Sequence, residues 1–197
     1  MGRPRSVVHG FGVNDANYVV GRSVNGKRVV CKAYHTWYGI ISACYSQKSQ
    51  KDHQSQTGVT VCDEWRSFMA FREWWLGNYI DGWRINRKLL TENSQYSPDS
   101  CLYVPTWLGL FTTGSDSDRG KYGVGVGYDK NLGLFMARGR NALNGRLVTI
   151  GRFKTPEAAN LAWRARKLEY AAQMKNDMDA IDERIYPRVV EIINRAK

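Results

Sequence analysis

Several function classes find little to work with in this chain. No apolar run approaches the roughly 18 residues of a membrane span. The start, MGRPRSVVHGFG, is basic and has neither the apolar run nor the small-residue cleavage site of a signal peptide, so the cytoplasm is the expected compartment. Histidine is scarce, at three residues. The four cysteines, Cys31, Cys44, Cys62 and Cys101, form no CxxC pair, which makes buried free thiols the expectation. A zinc site from Cys44, His53, Cys62 and Cys101 would match no standard ligand spacing, so no metal ligands are assigned. There is no GxGxxG, no Walker loop and no nucleophile elbow. Acidic residues are outnumbered, 18 against 29 Lys and Arg.

What is present is enough for a packed core and a polyanion partner. Hydrophobic residues make up 43% and aromatic residues 12% of the chain, too much for wholesale disorder. The net charge of +11 is unevenly spread: +5 over residues 1–32, −2 over 33–118, +9 over 119–175 and −1 over 176–197. Lys and Arg concentrated in two segments suit a docking surface for phosphates better than a uniform solubility coat.

Local patterns predict the elements. In YVVGRSVNGKRVVCK, two Val-rich runs flank Asn25-Gly26, a hairpin signal. Tyr34, Trp37, Ile41, Cys44 and Tyr45 predict a helix over 33–45. Gln47 to Thr57 is polar and aperiodic, which predicts a loop. Val59 to Val61 reads as a strand, Asp63 as a helix cap, and Trp65, Phe68, Phe71 and Trp75 as the buried side of the next helix. Trp83 to Leu90 and Cys101 to Val104 read as strands, and Trp107 to Phe111 as a short helix. The small polar stretch TTGSDSDRG marks a linker. Beyond it, Tyr122–Tyr128, Gly133–Arg140 and Arg146–Phe153 are strand candidates. Thr155-Pro156-Glu157 opens a helix with a cap, a first-turn proline and an acid near the positive dipole end. Leu161, Ala165, Leu168 and Ala172 are its expected buried stripe, with helical pattern as far as Ile185, a break at Pro187 and an amphipathic tail through Val190 and Ile193.

Two stretches resemble known families. KYGVGVGYDKNLGLFMARGR followed by LVTIGRFKTPEAANLAW resembles the plant ethylene-response-factor, or Apetala-two, DNA-binding domain. The resemblance rests on Gly123-Val124, Phe135, Ala137, Arg140, Gly151, Phe153, Thr155, Glu157-Ala158-Ala159 and Trp163. It implies a three-stranded sheet laid in the major groove of duplex DNA, a groove that admits a β-ribbon. Arg138, Arg140 and Arg146 match contact positions of the family, with Arg152 beside them. Alternation along a strand places Arg138 and Arg140 on one face. Gly125 stands where the family often has a base-reading Arg, and Thr149 where an aromatic is common; both departures bear on base specificity more than on phosphate binding.

Tyr34 to Phe111, through HTWYGIISACYS, VTVCDEWRSFMAFREWW, WRINRKLL and YSPDSCLYVP, resembles HNH homing endonucleases of tailed phages. In that family an Apetala-two-type domain often follows the nuclease core, an order that this chain fits. HNH chemistry uses a carboxylate and an Asn to hold one divalent metal, and a His as general base. Here Asn86 replaces the metal Asp and Arg87 the following His or Lys. Ser100 replaces the signature Asn, and Gly109 an Asn in the following helix. An amide binds a hard cation more weakly than a carboxylate. His53 as base and Asp81 and Asp99 as carboxylates are the candidates for rescue.

The expected fold is therefore α+β: an HNH-like ββα module plus a C-terminal three-stranded antiparallel sheet packed on one long helix. The expected layout is a basic β-hairpin arm at 1–32, the HNH-like, degenerate module at 33–111 and a linker at 112–120. An Apetala-two-like domain at 121–175 and a helical tail at 176–197 complete it. The expected function is duplex-DNA binding with lost or weakened nuclease activity, without cofactor, in the cytoplasm of an infected bacterium. One alternative is an active endonuclease, which would need Mg2+ or another divalent metal. Another is a protein-interaction module acting through the middle segment or the C-terminal helix. No membrane association is expected.

Overall fold

The computed structural model describes residues 6–52, 58–112, 119–142 and 145–196. The chain is α+β and divides into two compact units, Met1–Tyr103 and Val104–Lys197. No helix among the described residues is long and apolar enough to cross a membrane.

In the first unit, β1 (Ser6–Val8) pairs antiparallel with β2 (Gly12–Asn14), and β3 (Gly21–Val24) with β4 (Lys27–Val30). Asn25 and Gly26 turn the second hairpin with φ of 51° and 73°, the backbone that a tight two-residue turn demands. α1 (Lys32–Tyr45) then buries Trp37, Ile40, Ile41 and Cys44. The segment expected to be a loop at 47–57 instead begins with α2 (Gln47–Asp52). This helix buries no side chain. It is held by local polar bonds, which hydrophobic periodicity cannot report: Ser46 Oγ accepts from the Ser49 amide at 3.4 Å and Gln50 Nε2 donates to the Cys44 carbonyl at 2.6 Å.

β5 (Thr60–Val61) pairs in parallel with β7 (Gln95–Tyr96). Asp63 precedes only a 3-10 turn, Glu64–Arg66, and makes no capping bond. α3 (Phe68–Asn78) is capped instead by Ser67, whose Oγ accepts from the Ala70 amide at 3.1 Å. Asp15 braces this cap, accepting from Ser67 Oγ at 2.6 Å and from the Met69 amide at 3.0 Å. The expected strand at 83–90 is shortened to β6 (Arg84–Asn86), which pairs with β8 (Leu102–Val104). Trp37, Trp65, Phe68 and Phe71 are fully buried at the centre of the core. Trp37 Nε1 donates to the Trp65 carbonyl at 2.7 Å, so the indole is buried with its polar atom satisfied.

The second unit opens with α4 (Thr106–Thr112). The expected strand at 122–128 is broken at Gly125: β9 (Arg119–Gly120) pairs with β10 (Gly123–Val124), and the chain resumes as β11 (Val126–Asp129). β11, β12 (Leu134–Arg140) and β13 (Leu147–Phe153) form an antiparallel sheet in that order. α5 (Pro156–Gln173) packs on it, capped by Thr155 Oγ1, which accepts from the Ala158 amide at 3.2 Å.

Two expectations for the helices are corrected. α5 buries Ala159, Asn160, Trp163, Tyr170 and Ala171, while Leu161 is 62% exposed. Trp163, with Ala159 four residues before it, selects the face that meets the sheet, and Leu161 lies two residues, about 200°, round from Trp163. The helical run also does not reach Ile185: α5 ends at Gln173, α6 (Lys175–Asp179) follows, and Pro187 lies inside α7 (Ile185–Arg195). It occupies the first turn, where a missing amide N–H costs no helical bond. α7 packs against α5 and buries Ile185, Val189 and Ile193 within this unit.

Candidate nucleic-acid interface

The two faces of the C-terminal sheet differ sharply. Toward α5 lie Phe135, Ala137, Ile150 and Phe153, packed with Val124, Val126, Ala159 and Trp163. Gly139 belongs to this side, because a Cβ there would stand 3.3 Å from Trp163 Nε1. The residues between them on β12, Met136, Arg138 and Arg140, therefore point away from the helix.

The register carries the arrangement across to β13. Arg138 pairs with Thr149 and Arg140 with Leu147, whereas Met136 pairs with Arg152 and Ala137 with Gly151. The shift between Ala137 and Arg138 leaves Ile150 as the extra residue of a bulge. Thr149 and Arg152, three apart and otherwise on opposite faces, both face outward because of it. Arg138, Arg140 and Arg152 thus share one exposed face.

Each of these side chains has a distinct setting. Arg138 lies over Gly127, whose missing Cβ would sit 3.6 Å from its Nη2. Among the described residues the Arg138 guanidinium has no hydrogen-bond or ion-pair partner. Arg140 Nη1 donates to the Gly145 carbonyl at 3.1 Å, across the turn from β12 to β13. Arg152 Nε stands 3.7 Å from Asp129 Oδ2, a long pair between a half-exposed guanidinium and a largely covered carboxylate. Such a pair is worth little and leaves the cation available. Arg146 is exposed at the start of β13, its carbonyl accepting from the Asn141 amide at 2.8 Å. The face can therefore offer several guanidinium groups, each a planar fork suited to phosphate or a base edge.

Three supporting residues were not read as such from the sequence. Gly125 has φ of +74°, and a Cβ on it would lie 2.1 Å from Trp163 Cδ1. A base-reading Arg has no room there, whatever the family uses. The Gly125 carbonyl accepts from the Arg138 amide at 2.8 Å, which anchors the strand beside the bulge. Asn160, buried, donates Nδ2 to the Val124 carbonyl at 3.0 Å and ties α5 to β10. Lys167 donates to the Phe111 carbonyl at 2.7 Å with its Nζ 3.6 Å from the Phe111 ring centroid. Burial pushes its ammonium down to about 8. The repeated glycines of GVGVG were the one sequence signal of a broken strand.

The positions that resemble HNH chemistry are engaged otherwise. Asn86 Oδ1 accepts from the amides of Lys88 at 2.8 Å and Leu89 at 3.2 Å, so it caps a turn and ends β6. Arg87 is 7% exposed. It donates to the Asn93 carbonyl at 3.3 Å and lies over the Tyr96 ring at 5.4 Å. Ser100 Oγ donates to the Gln95 carbonyl at 2.6 Å and accepts from the Ser97 amide at 2.9 Å. Asp99 is exposed on the rim of a cavity shared with Glu64, Asn93 and Ser100. Asp81 accepts from Lys32 Nζ at 2.6 Å and Tyr79 Oη at 2.5 Å. The hydrogen bond from Lys32 is the main cause that holds its carboxyl below the usual range. Gly109 lies in α4, in the second unit, and His53 falls outside the described residues.

These residues do not fit a divalent metal. The Asn86 oxygen already serves two amides, the neighbouring Arg87 is a buried cation, and Ser100 is spent on backbone groups. Among the described residues no three His, Cys, Asp or Glu side chains come together in a way that could hold a metal ion. Burial pushes the Cys44 and Cys101 thiols up to about 11 and keeps them protonated, which does not favour a thiolate ligand. Comparison of this chain with protein-family models, curated proteins and solved structures finds no match.

Proposed function

We propose that this chain binds duplex DNA through the outward face of its C-terminal sheet, and that it descends from phage HNH homing endonucleases whose nuclease centre has been lost. The carrying observation is the convergence of Arg138, Arg140 and Arg152 on one exposed face, achieved through a β-bulge. Arg146 adds a fourth cation at its edge. The surrounding segment holds most of the chain's net positive charge. Guanidinium groups on a sheet narrow enough for the major groove provide phosphate contacts, with base edges within reach. Apolar Met136 and Leu147 and the hydroxyl of Thr149 lie among them on the same face and are suited to sugar and thymine-methyl contact. The expected setting is the cytoplasm of an infected bacterium.

The loss of cleavage is supported by the new work of the HNH-like positions. A capping amide, a buried arginine and a hydroxyl bonded to backbone supply neither a metal carboxylate nor a general base. Supercoiled plasmid incubated with the protein and Mg2+ or Mn2+ should stay intact. Nicking that is abolished by EDTA and by Asp81→Ala or Asp99→Ala would overturn this half of the proposal.

A further inference from the structure

The hairpin β3–β4 carries charge that the C-terminal sheet does not explain. From residue 16 to residue 51 the chain contains no Asp or Glu. Arg22, Lys27 and Arg28 of the hairpin are exposed, and none of the three enters an ion pair among the described residues. The neighbouring cation Lys32 differs in this respect, being paired with Asp81. The ribbon is also bare of apolar cover: Val24 is 40% and Val29 51% exposed.

The register distributes these side chains over both faces. Arg22 pairs with Val29 and Val24 with Lys27, so these four share one face. Ser23 pairs with Arg28 and Gly21 with Val30 on the other, where a Cβ on Gly21 would lie 3.7 Å from Arg28 Nε. A flat anionic surface, such as a membrane, would be met by cations on one face only. A groove has phosphates along both walls, and the major groove, about 12 Å wide, admits a two-stranded ribbon.

We propose that this hairpin is a second duplex-DNA contact, entering a groove with Arg22 and Lys27 toward one wall and Arg28 toward the other. It does not rest on the reading of the C-terminal sheet. The test uses the full chain and a mixed-sequence duplex, with anisotropy measured from about 50 to about 200 mM salt. Each lost phosphate contact lowers the slope of log affinity against log salt by about 0.9, so R22Q/K27Q/R28Q should flatten it by about 2 to 3. Affinity at the middle of that range should fall about tenfold or more. Ser23→Lys, which adds a cation beside Arg28, should steepen the slope by about 0.9, a gain that misfolding cannot produce.

R138Q/R140Q/R152Q is measured in parallel. If it weakens binding while both hairpin variants leave slope and affinity unchanged, the hairpin proposal is wrong and the sheet reading stands. The opposite pattern upholds the hairpin and removes the sheet. A wild-type chain without salt-sensitive duplex affinity overturns both. Hairpin variants that lose binding to phosphatidylserine vesicles but keep duplex affinity would assign the ribbon to a membrane surface and overturn the proposal.

Discussion

Gly125→Ala should unfold the second unit's sheet far more readily than its size suggests. The residue has φ of +74°, and the added Cβ would lie 2.1 Å from Trp163 Cδ1 and 2.4 Å from Trp163 Cγ. Carbon atoms rest at about 3.5 to 4.0 Å, so Trp163 must retreat by more than about 1 Å. It is 8% exposed and packed with Val124, Val126, Ala137 and Ala159. Left-handed backbone costs an L-residue roughly 1 to 2 kcal/mol, and overpacking a filled core typically about 1 to 3. The expected loss is about 3 kcal/mol. For a unit of this size that lowers the melting midpoint by more than about 10 °C. Hydrogen exchange over 122–140 and 156–172 in rising urea reads the effect locally. Gly127→Ala is the control, since its Cβ would meet Arg138 and Met136 at 3.6 Å or more, ordinary contact. Equal protection in the two variants would refute the close fit of Trp163 on Gly125.

Other consequences follow from the same packing. Lys167 has its ammonium lowered from 10.5 to about 8 by burial, so the protonated form is disfavoured in the folded state, a penalty of about 3 kcal/mol. That penalty is present below about pH 8 and fades as pH rises toward 10.5. Lys167→Met should therefore melt higher than wild type at pH 7, with the gap narrowing by pH 10; a gap independent of pH would contradict it. Cys31 and Cys62, half-buried, should react with a thiol reagent in the native protein, while the buried Cys44 and Cys101 should react only after unfolding. Four equally fast thiols would contradict the core as described. Asn160→Leu should destabilise the second unit by about 1 to 3 kcal/mol in urea melts, because it leaves the buried Val124 carbonyl without its donor; an unchanged midpoint would remove Asn160 as the tie between α5 and β10.

How much the sequence reveals depends on whether a feature is local. The Asn25-Gly26 hairpin and the Thr155-Pro156 helix start are set by residues within one turn, and turn and capping chemistry finds them. α2 was missed because caps, rather than an apolar stripe, hold it. The face of α5 was misassigned because periodicity alone gives no phase: Ala159 and Trp163, not the leucines, form the core with the sheet. The site shows the same division. Strand alternation puts Arg138 and Arg140 together, but Arg152 reaches their face only through a bulge that spacing conceals. The substitutions at Asn86 and Ser100 were visible. Their present work, as a turn cap and a backbone clamp, required coordinates.

The most direct test of the central claim is duplex affinity as a function of salt for the full chain and for R138Q/R140Q/R146Q/R152Q, with circular dichroism to show that the fold is kept. The four changes should flatten the salt slope by about 3 to 4 and weaken binding by at least about tenfold. Identical affinity and slope in a folded variant would contradict DNA binding by this face.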